Sequence, residues 1–340
     1  MDDILAIEII RTAQASHRIA WTPALTDAPL TVFGGQTPDT IDYATPLARG
    51  VRHPIEIPGL AVPSFFALQA PDRPIWIAGA RQLALDGAVN LRDVGGYATD
   101  TGRRVRWGTL YRSGHLSQLA ATAREEVAAL DIRTVCDFRL ADERATENAT
   151  LPNNPRLETL AIPPGRNDQH FFHRLFESTD DPTRVVEEMH HLLRAFVIDL
   201  APHYRKMFEV LLETRGPGAV LLNCSAGKER TGVGVALLLL ALGVPRATVK
   251  HDFLLSGRYF PAESEMPRVL QKYAVPGKDP AVMRQLVAPL LRMQDSYPDT
   301  VLEAIDTIVK IDGGGLPGFF QSHYGLGTAE LAQLRDTFTT

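Results

Sequence analysis

Cysteine is scarce in this chain: Cys136 and Cys224 are the only two in 340 residues. Two thiols cannot build a disulfide framework, so the sequence reads as that of a protein from a reducing compartment. Positive charge is not in excess either. Lys and Arg number 35 against 40 Asp and Glu, a net charge of −5, so nothing global argues for a nucleic-acid partner or an acidic membrane surface. Long apolar runs are also missing. The longest, Val235–Val244 ("VALLLLALGV"), is too short to cross a bilayer and reads as a buried core helix, so no integral membrane segment is expected. The opening "MDDILAIEIIRTAQ" lacks the basic stretch and apolar core of a signal peptide. A cytoplasmic location is expected, with non-classical secretion as the open alternative. No internal repeat or low-complexity tract appears. His190 and His191 are adjacent in a helical stretch and point about 100° apart, a poor metal pair. Neither metal nor cofactor is expected.

What is present is an ordinary globular composition, 45% apolar and 22% charged, in a chain long enough for a catalytic domain with a smaller appendage. Residues 1–80 read as β. The runs "AIEIIRT", "HRIAW", "LTVFGG", "HPIEIPG", "PSFFALQA" and "RPIWIAGA" are short and separated by Pro, Gly, Asp and Ser. Ile19 and Trp21, like Leu30 and Val32, stand two apart, as one face of a half-buried strand requires. Six or seven such strands predict a small sandwich. From residue 81 the pattern changes. Strands are expected near Arg104–Trp107 and Thr109–Tyr111, an amphipathic helix over 122–132 and a buried strand over 133–139. Residues 140–180 read as a long polar loop. Helices follow over 182–200 and 202–215, then an all-apolar strand, "GAVLL" (218–222), a tight bend, and helix 230–243. Strands alternating with helices predict an α/β layer structure over 81–340 with a mainly parallel sheet flanked by helices. After Pro245 the chain reads as helical to its end.

The chemistry concentrates in "LLNCSAGKERTG" (221–232). A loop between a buried strand and a buried helix lies where open α/β sheets bind ligands. The helix's first N–H groups point at whatever anion sits there. Ser225, Ala226 and Gly227 are small enough for close backbone approach, and Gly227 can take a positive φ. Five residues separate Cys224 from Arg230, so a curled loop brings both to one oxyanion. Arg230 would fork two oxygens of a phosphate, and Cys224 would sit in line with the leaving oxygen as the nucleophile, its thiolate favoured by the helix dipole and nearby cations. Thr231 could stabilise the sulfur as it leaves, and Lys228 adds to the anion field. A lone cysteine at a strand end would ordinarily be an inert packed thiol. Cations at a helix N-terminus, however, oppose the dipole unless an anion is bound. A nucleotide-binding P-loop is excluded, because Leu222 stands where its first glycine belongs and Glu229 where it needs Ser or Thr. Cys136, in an apolar strand, is expected as a packed thiol, or as a disulfide partner of Cys224 if their strands adjoin.

"CSAGKERTG" resembles the Cys-x5-Arg-Thr-Gly signature of protein tyrosine and dual-specificity phosphatases. More narrowly it is similar to the bacterial tyrosine/lipid phosphatases whose loop reads Cys-x-x-Gly-Lys-Asp-Arg-Thr-Gly. "NLRDVGGY" (90–97), "LYRSGHL" (110–116), "TVCDFRLADE" (134–143), "HDFLLSGRYF" (251–260) and "YGLGTAELAQLRDTF" resemble further motifs of that group, and residues 1–80 resemble a fibronectin-III-like module. The resemblance implies a phosphatase-like domain over 81–340 and cleavage of phosphotyrosine through a phosphocysteine. It extends to phosphoserine, phosphothreonine and phosphoinositides, for which Lys228 is the pointer. It also implies a lid from helices in about 263–297. Two departures stand out. Asn223 replaces the usual His before the cysteine, which leaves one positive charge fewer beside the thiol. Glu229 replaces the loop Asp that serves as proton donor; Asp137 and Asp93 are rival donors. Arg139 is a candidate substrate ligand, and Arg112 is expected to ion-pair within the fold. The alternative to an enzyme is a catalytically weak phosphate-binding relative.

Overall fold

The computed structural model describes residues 6–11, 16–22, 29–58, 64–149, 151–160, 169–214 and 216–340. Seven strands occupy the first eighty residues: β1 (Ala6–Arg11), β2 (His17–Thr22), β3 (Leu30–Gly35), β4 (Ala48–Val51), β5 (Ile55–Ile57), β6 (Phe65–Gln69) and β7 (Trp76–Gly79). They form two antiparallel sheets, ordered β1-β2-β5 and β4-β3-β6-β7. The alternation seen in the sequence is the packing. Ile19, Trp21, Leu30 and Val32 are all buried and share one core with Ile57, Phe66 and Leu68. The expected strand ends at Thr12, Gly59 and Pro63 lie outside the described residues. Strand β4 was not expected, because "ARGV" carries little apolar surface.

The rest is an α/β layer. Its sheet runs β11-β10-β12-β9-β8, from β8 (Arg92–Asp93), β9 (Leu110–Ser113), β10 (Ile132–Asp137), β11 (Arg156–Thr159) and β12 (Ala219–Asn223). All neighbours pair in parallel except β8 with β9. Central β12 is buried throughout, as a strand covered on both faces must be. Its Val220 and Leu222 pack towards α4 (Pro182–Ile198), α5 (Ala201–Glu213) and α6 (Glu229–Ala241). Leu221 packs on the other side with Ala123 and Val127 of α1 (Ala121–Ala128).

Two expectations differ from the structure. The 140–180 stretch is not one loop, since it holds α2 (Ala141–Thr146), β11 and α3 (Gln169–Ser178). Helix α2 is a single polar turn and a half, too short for a periodic signal. The segment Arg104–Trp107 is not a regular strand. Ala98 bridges Arg104, and Val105 bridges Thr339, so its partner lies at the far end of the chain. Six helices follow α6: α7 (Arg246–Tyr259), α8 (Ala262–Lys272), α9 (Pro280–Leu291), α10 (Ser296–Asp312), α11 (Gly315–Tyr324) and α12 (Thr328–Phe338). Among the described residues no helix is long and apolar enough to cross a membrane.

The sandwich is docked on this layer. Trp107 packs edge-on against Phe65, and Arg81 stacks between the Tyr97 and Trp107 rings while donating to the carbonyls of Asp93 and Gly95. Arg11 pairs with Glu126 of α1 at 2.8 Å.

Candidate active site

Strand β12 ends at Asn223, and the next five residues curl into the start of α6. Gly227 makes the curl possible. Its φ is +67°, and a Cβ there would come within 2.4 Å of Gly114 N and Ser113 C, so a side chain is excluded by both strain and space. The turn brings the Gly227 N–H to 3.2 Å from Cys224 Sγ. Helix α6 has no side-chain cap, which leaves its first-turn N–H groups to a ligand.

The motif stretches around β8 and β9 and in α7 converge on the back of this loop. Asn90 Nδ2 and Arg112 Nη2 each donate to Gly227 O at 2.9 Å. Arg112 Nη1 also donates to Asp252 Oδ2 at 2.6 Å, the ion pair expected within the fold. Arg92 donates to Asn90 Oδ1 and to the Asp252 carbonyl, and the His115 N–H holds Ser225 O at 2.8 Å. The loop is thus fixed before any substrate arrives.

Arg230 lies over the loop with its guanidinium forked onto Glu143. Nη1 meets Oε2 at 2.6 Å, and Nη2 meets Oε1 at 3.0 Å. Lys272 of α8 joins the same carboxylate at 2.8 Å. Burial alone would raise the Glu143 pKa, but Arg230 and Lys272 outweigh it and hold the carboxyl far below its usual range. Ser225 Oγ donates to Glu147 Oε1 at 2.8 Å, and Arg268 of α8 pairs with the same oxygen. Arg268 also bonds Glu265, which reaches His115 at 3.2 Å. Lys228 is fully buried; its Nζ donates to Leu290 O of α9 at 2.7 Å, lies over the Phe260 ring and stands 3.4 Å from Glu229 Oε1. Thr231 Oγ1 is buried with no hydrogen-bond partner among the described residues.

A cavity of about 90 Å³ lies among them, lined by Ser225, Ala226, Glu229, Arg230 and Glu143 below and by Arg268, Lys272, Tyr273 and Leu290 above. Cys224 is only 1% exposed. Helices α8 and α9 therefore lie shut over the loop, where the expected lid falls. The space beneath them is smaller than the cavity of about 150 Å³ that is known to take up benzene.

Of the expected residues, Cys224, Gly227, Lys228 and Thr231 belong to the loop and the start of α6 without lining this cavity, and Asp137, Arg139 and Asp93 do not line it either. Asp137 is clasped by Arg139, whose Nε and Nη2 donate at 3.0 and 2.7 Å, while Arg139 Nη1 donates to Glu147 O. Arg139 and Asp137 thus tie the end of β10 to α2. Asp93 accepts the N–H groups of Gly95 and Gly108, each at 2.7 Å. Burial pushes its pKa up to about 6, against the pull of those N–H groups and Arg81. Of the three candidate donors only Glu229 lines the cavity.

Asn223 is buried, and its Oδ1 has no hydrogen-bond partner among the described residues. Cys136 pairs in register with Leu222, not Cys224. With strands about 4.8 Å apart and a rise of about 3.3 Å per residue, the offset separates the two Cα atoms by roughly 8 Å, beyond disulfide reach. Burial pushes the Cys136 thiol up to about 12, so it is a packed thiol. Among the described residues no group of His, Cys, Asp and Glu is arranged to hold a metal. His190 instead bonds Thr300 and Ser296. Sequence reasoning gave no role to Glu143, Glu147, Arg268 or Lys272. The signal was present: two acids and two bases, each pair four residues apart.

A thiol and an arginine sharing one anion loop, between a parallel strand and a helix, define a cysteine-dependent phosphatase site. The chain belongs to the tyrosine phosphatase family, whose model matches residues 83–340. It is 34% identical over 234 residues to a Cupriavidus necator protein provisionally named a tyrosine-protein phosphatase, covering 68% of this chain and 81% of that one. It is 29% identical over 196 residues to the triple specificity protein phosphatase PtpB of Mycobacterium tuberculosis, covering 52% and 70%. Among solved structures, TpbA of P. aeruginosa aligns over 62% of this chain and 99% of its own, at 18% identity and a TM-score of 0.25.

Proposed function

We propose that this chain hydrolyses phosphotyrosine through a phosphocysteine on Cys224. The observation that carries the reading is the loop itself: Cys224 Sγ under the Gly227 N–H, with Arg230 clamped beside it by Glu143. Phosphate oxygens take the loop N–H groups of Ser225, Ala226, Gly227 and Lys228 and the fork of Arg230. The Cys224 thiolate attacks phosphorus, the bond to the tyrosine oxygen breaks, and Glu229 gives that oxygen a proton. Water then attacks the phosphocysteine, Glu229 takes its proton, and the sulfur leaves with a hydrogen bond from Thr231. Thr231 Oγ1, which has no hydrogen-bond partner among the described residues, and Glu229 in the cavity lining support these roles.

Phosphoinositides and phosphoserine extend the same reading, supported by Lys228, Arg268 and Lys272 around the loop. The two free cysteines support a cytoplasmic setting. We also read residues 1–80 and 81–340 as separate domains, a division supported by the family match beginning at 83.

A panel of phosphotyrosine, phosphoserine and phosphoinositide substrates tests the function against a Cys224→Ser control. That variant is expected to lose turnover while still binding a phosphotyrosine peptide by calorimetry. Measurable turnover by it removes Cys224 as nucleophile. An inactive wild type that still binds the peptide would instead make the chain a phosphate-binding relative.

A further inference from the structure

A second cavity, of about 150 Å³, shares no lining residue with the first. It lies on the other face of the sheet, where Leu116, Val135 and Leu221 pack with α1. Its apolar walls are Leu116, Val135, Ala149, Leu151, Leu157 and Leu221. Leu221 and Asn223 point to the same side of β12, and Asn223 also lines the space. Asn223 is 5% exposed, and its Oδ1 is an acceptor without a partner among the described residues. It therefore marks the inner end. Leu157, 56% exposed, and Asn148, also exposed, mark the open end.

Two cations complete the lining. Arg139 is already matched by Asp137. Arg144 is half-buried, donates to the Arg139 carbonyl and forms no ion pair among the described residues. A leucine-walled cavity of this size stays dry and takes up benzene. A single water would satisfy Asn223 Oδ1 but leave the walls uncovered. A ring fills them, and the acceptor and the guanidinium call for a donor and an anion on that ring.

We propose that this cavity is a second binding site, for a small aromatic acid with a hydroxyl opposite its carboxylate. The ring lies among the leucines, the hydroxyl donates to Asn223 Oδ1, and the carboxylate pairs with Arg144. Binding here does not depend on the chemistry at Cys224. The occupant nevertheless sits directly behind the catalytic loop, because Asn223 precedes Cys224 and Arg144 follows Glu143, which forks Arg230.

Calorimetry on the full chain with p-hydroxybenzoate, in excess inorganic phosphate to occupy the first cavity, tests the site. One ligand per chain is expected. Benzoate and phenol each lack one anchor and should bind about 5- to 10-fold more weakly. Arg144→Gln should weaken p-hydroxybenzoate about 10-fold and leave phenol unchanged, a difference that reads the carboxylate contact itself. Ala149→Trp, which fills the space, should abolish binding of all three; should it not fold, Arg144→Gln still decides. No binding at millimolar ligand, displacement by phosphate, or an equal loss of phenol and p-hydroxybenzoate in Arg144→Gln would overturn the proposal. So would benzoate binding as tightly as p-hydroxybenzoate, since Asn223 would then hold nothing.

Discussion

The guanidinium of Arg230 reaches the anion site at an angle set by Glu143, whose two oxygens it meets at 2.6 and 3.0 Å. Glu143 in turn caps α2 through the Leu140 N–H and accepts Lys272. Glu143→Gln keeps the shape but removes the charge that pairs both cations. It is expected to lower kcat/KM by about 10- to 100-fold, roughly 1.4–2.7 kcal/mol of transition-state binding. Steady-state kinetics with p-nitrophenyl phosphate, beside a melting curve, checks this; unchanged kinetics would mean the loop alone orients Arg230. At this scale the loop was legible in the sequence, because Cys224, Glu229 and Arg230 act through neighbours in the chain. Glu143 ended a motif but received no role, because its partners lie 87 and 129 residues away. The pairing of Arg139 was hidden as well. Nothing in "DFR" shows that its own Asp137, two residues back, claims it.

One level up, α2 and α8 face each other with like charges one turn apart. Glu143 meets Lys272, and Glu147 meets Arg268. These pairs, with the Lys228 bond to Leu290 O, tie α8 and α9 to the loop. Half-buried ion pairs left with one partner are costly, so a double Arg268→Ala, Lys272→Ala variant should favour the raised position. Alkylation of Cys224 by iodoacetamide, a neutral reagent, is then expected to speed up by about 10-fold, or roughly 1.4 kcal/mol of shifted equilibrium. An unchanged rate would show that α8 does not limit access. Strand alternation made the N-terminal sheets legible, and an apolar strand before an apolar helix did the same for β12 and α6. The sheet order was not legible, because it pairs segments far apart in the chain. Nor was α2, whose polar sequence carries no apolar period.

At the scale of the whole molecule, two buried groups pull stability in opposite directions. His17, buried in the sandwich core, has its pKa pushed down to about 4, mainly by burial and then by Arg11. Between about pH 4 and 6.5 the unfolded chain binds the proton that folded His17 refuses, so His17 removes stability as pH falls. Asp93 is raised to about 6. Between about pH 3.8 and 6 the folded state holds the extra proton, so Asp93 removes stability as pH rises. Each slope is at most about 1.4 kcal/mol per pH unit. Relative to wild type, His17→Phe should therefore gain stability towards pH 4, and Asp93→Asn should gain towards pH 6.5. Urea unfolding at several pH values checks both, and parallel curves for all three proteins would contradict the assignment. The shut cavity has one more consequence at this scale. If only a fraction of molecules is open at any moment, the apparent affinity of every substrate is reduced by that fraction. The penalty is the same for good and poor substrates, so the lid sets how strongly the enzyme competes for phosphoesters, while the loop beneath decides which of them it prefers.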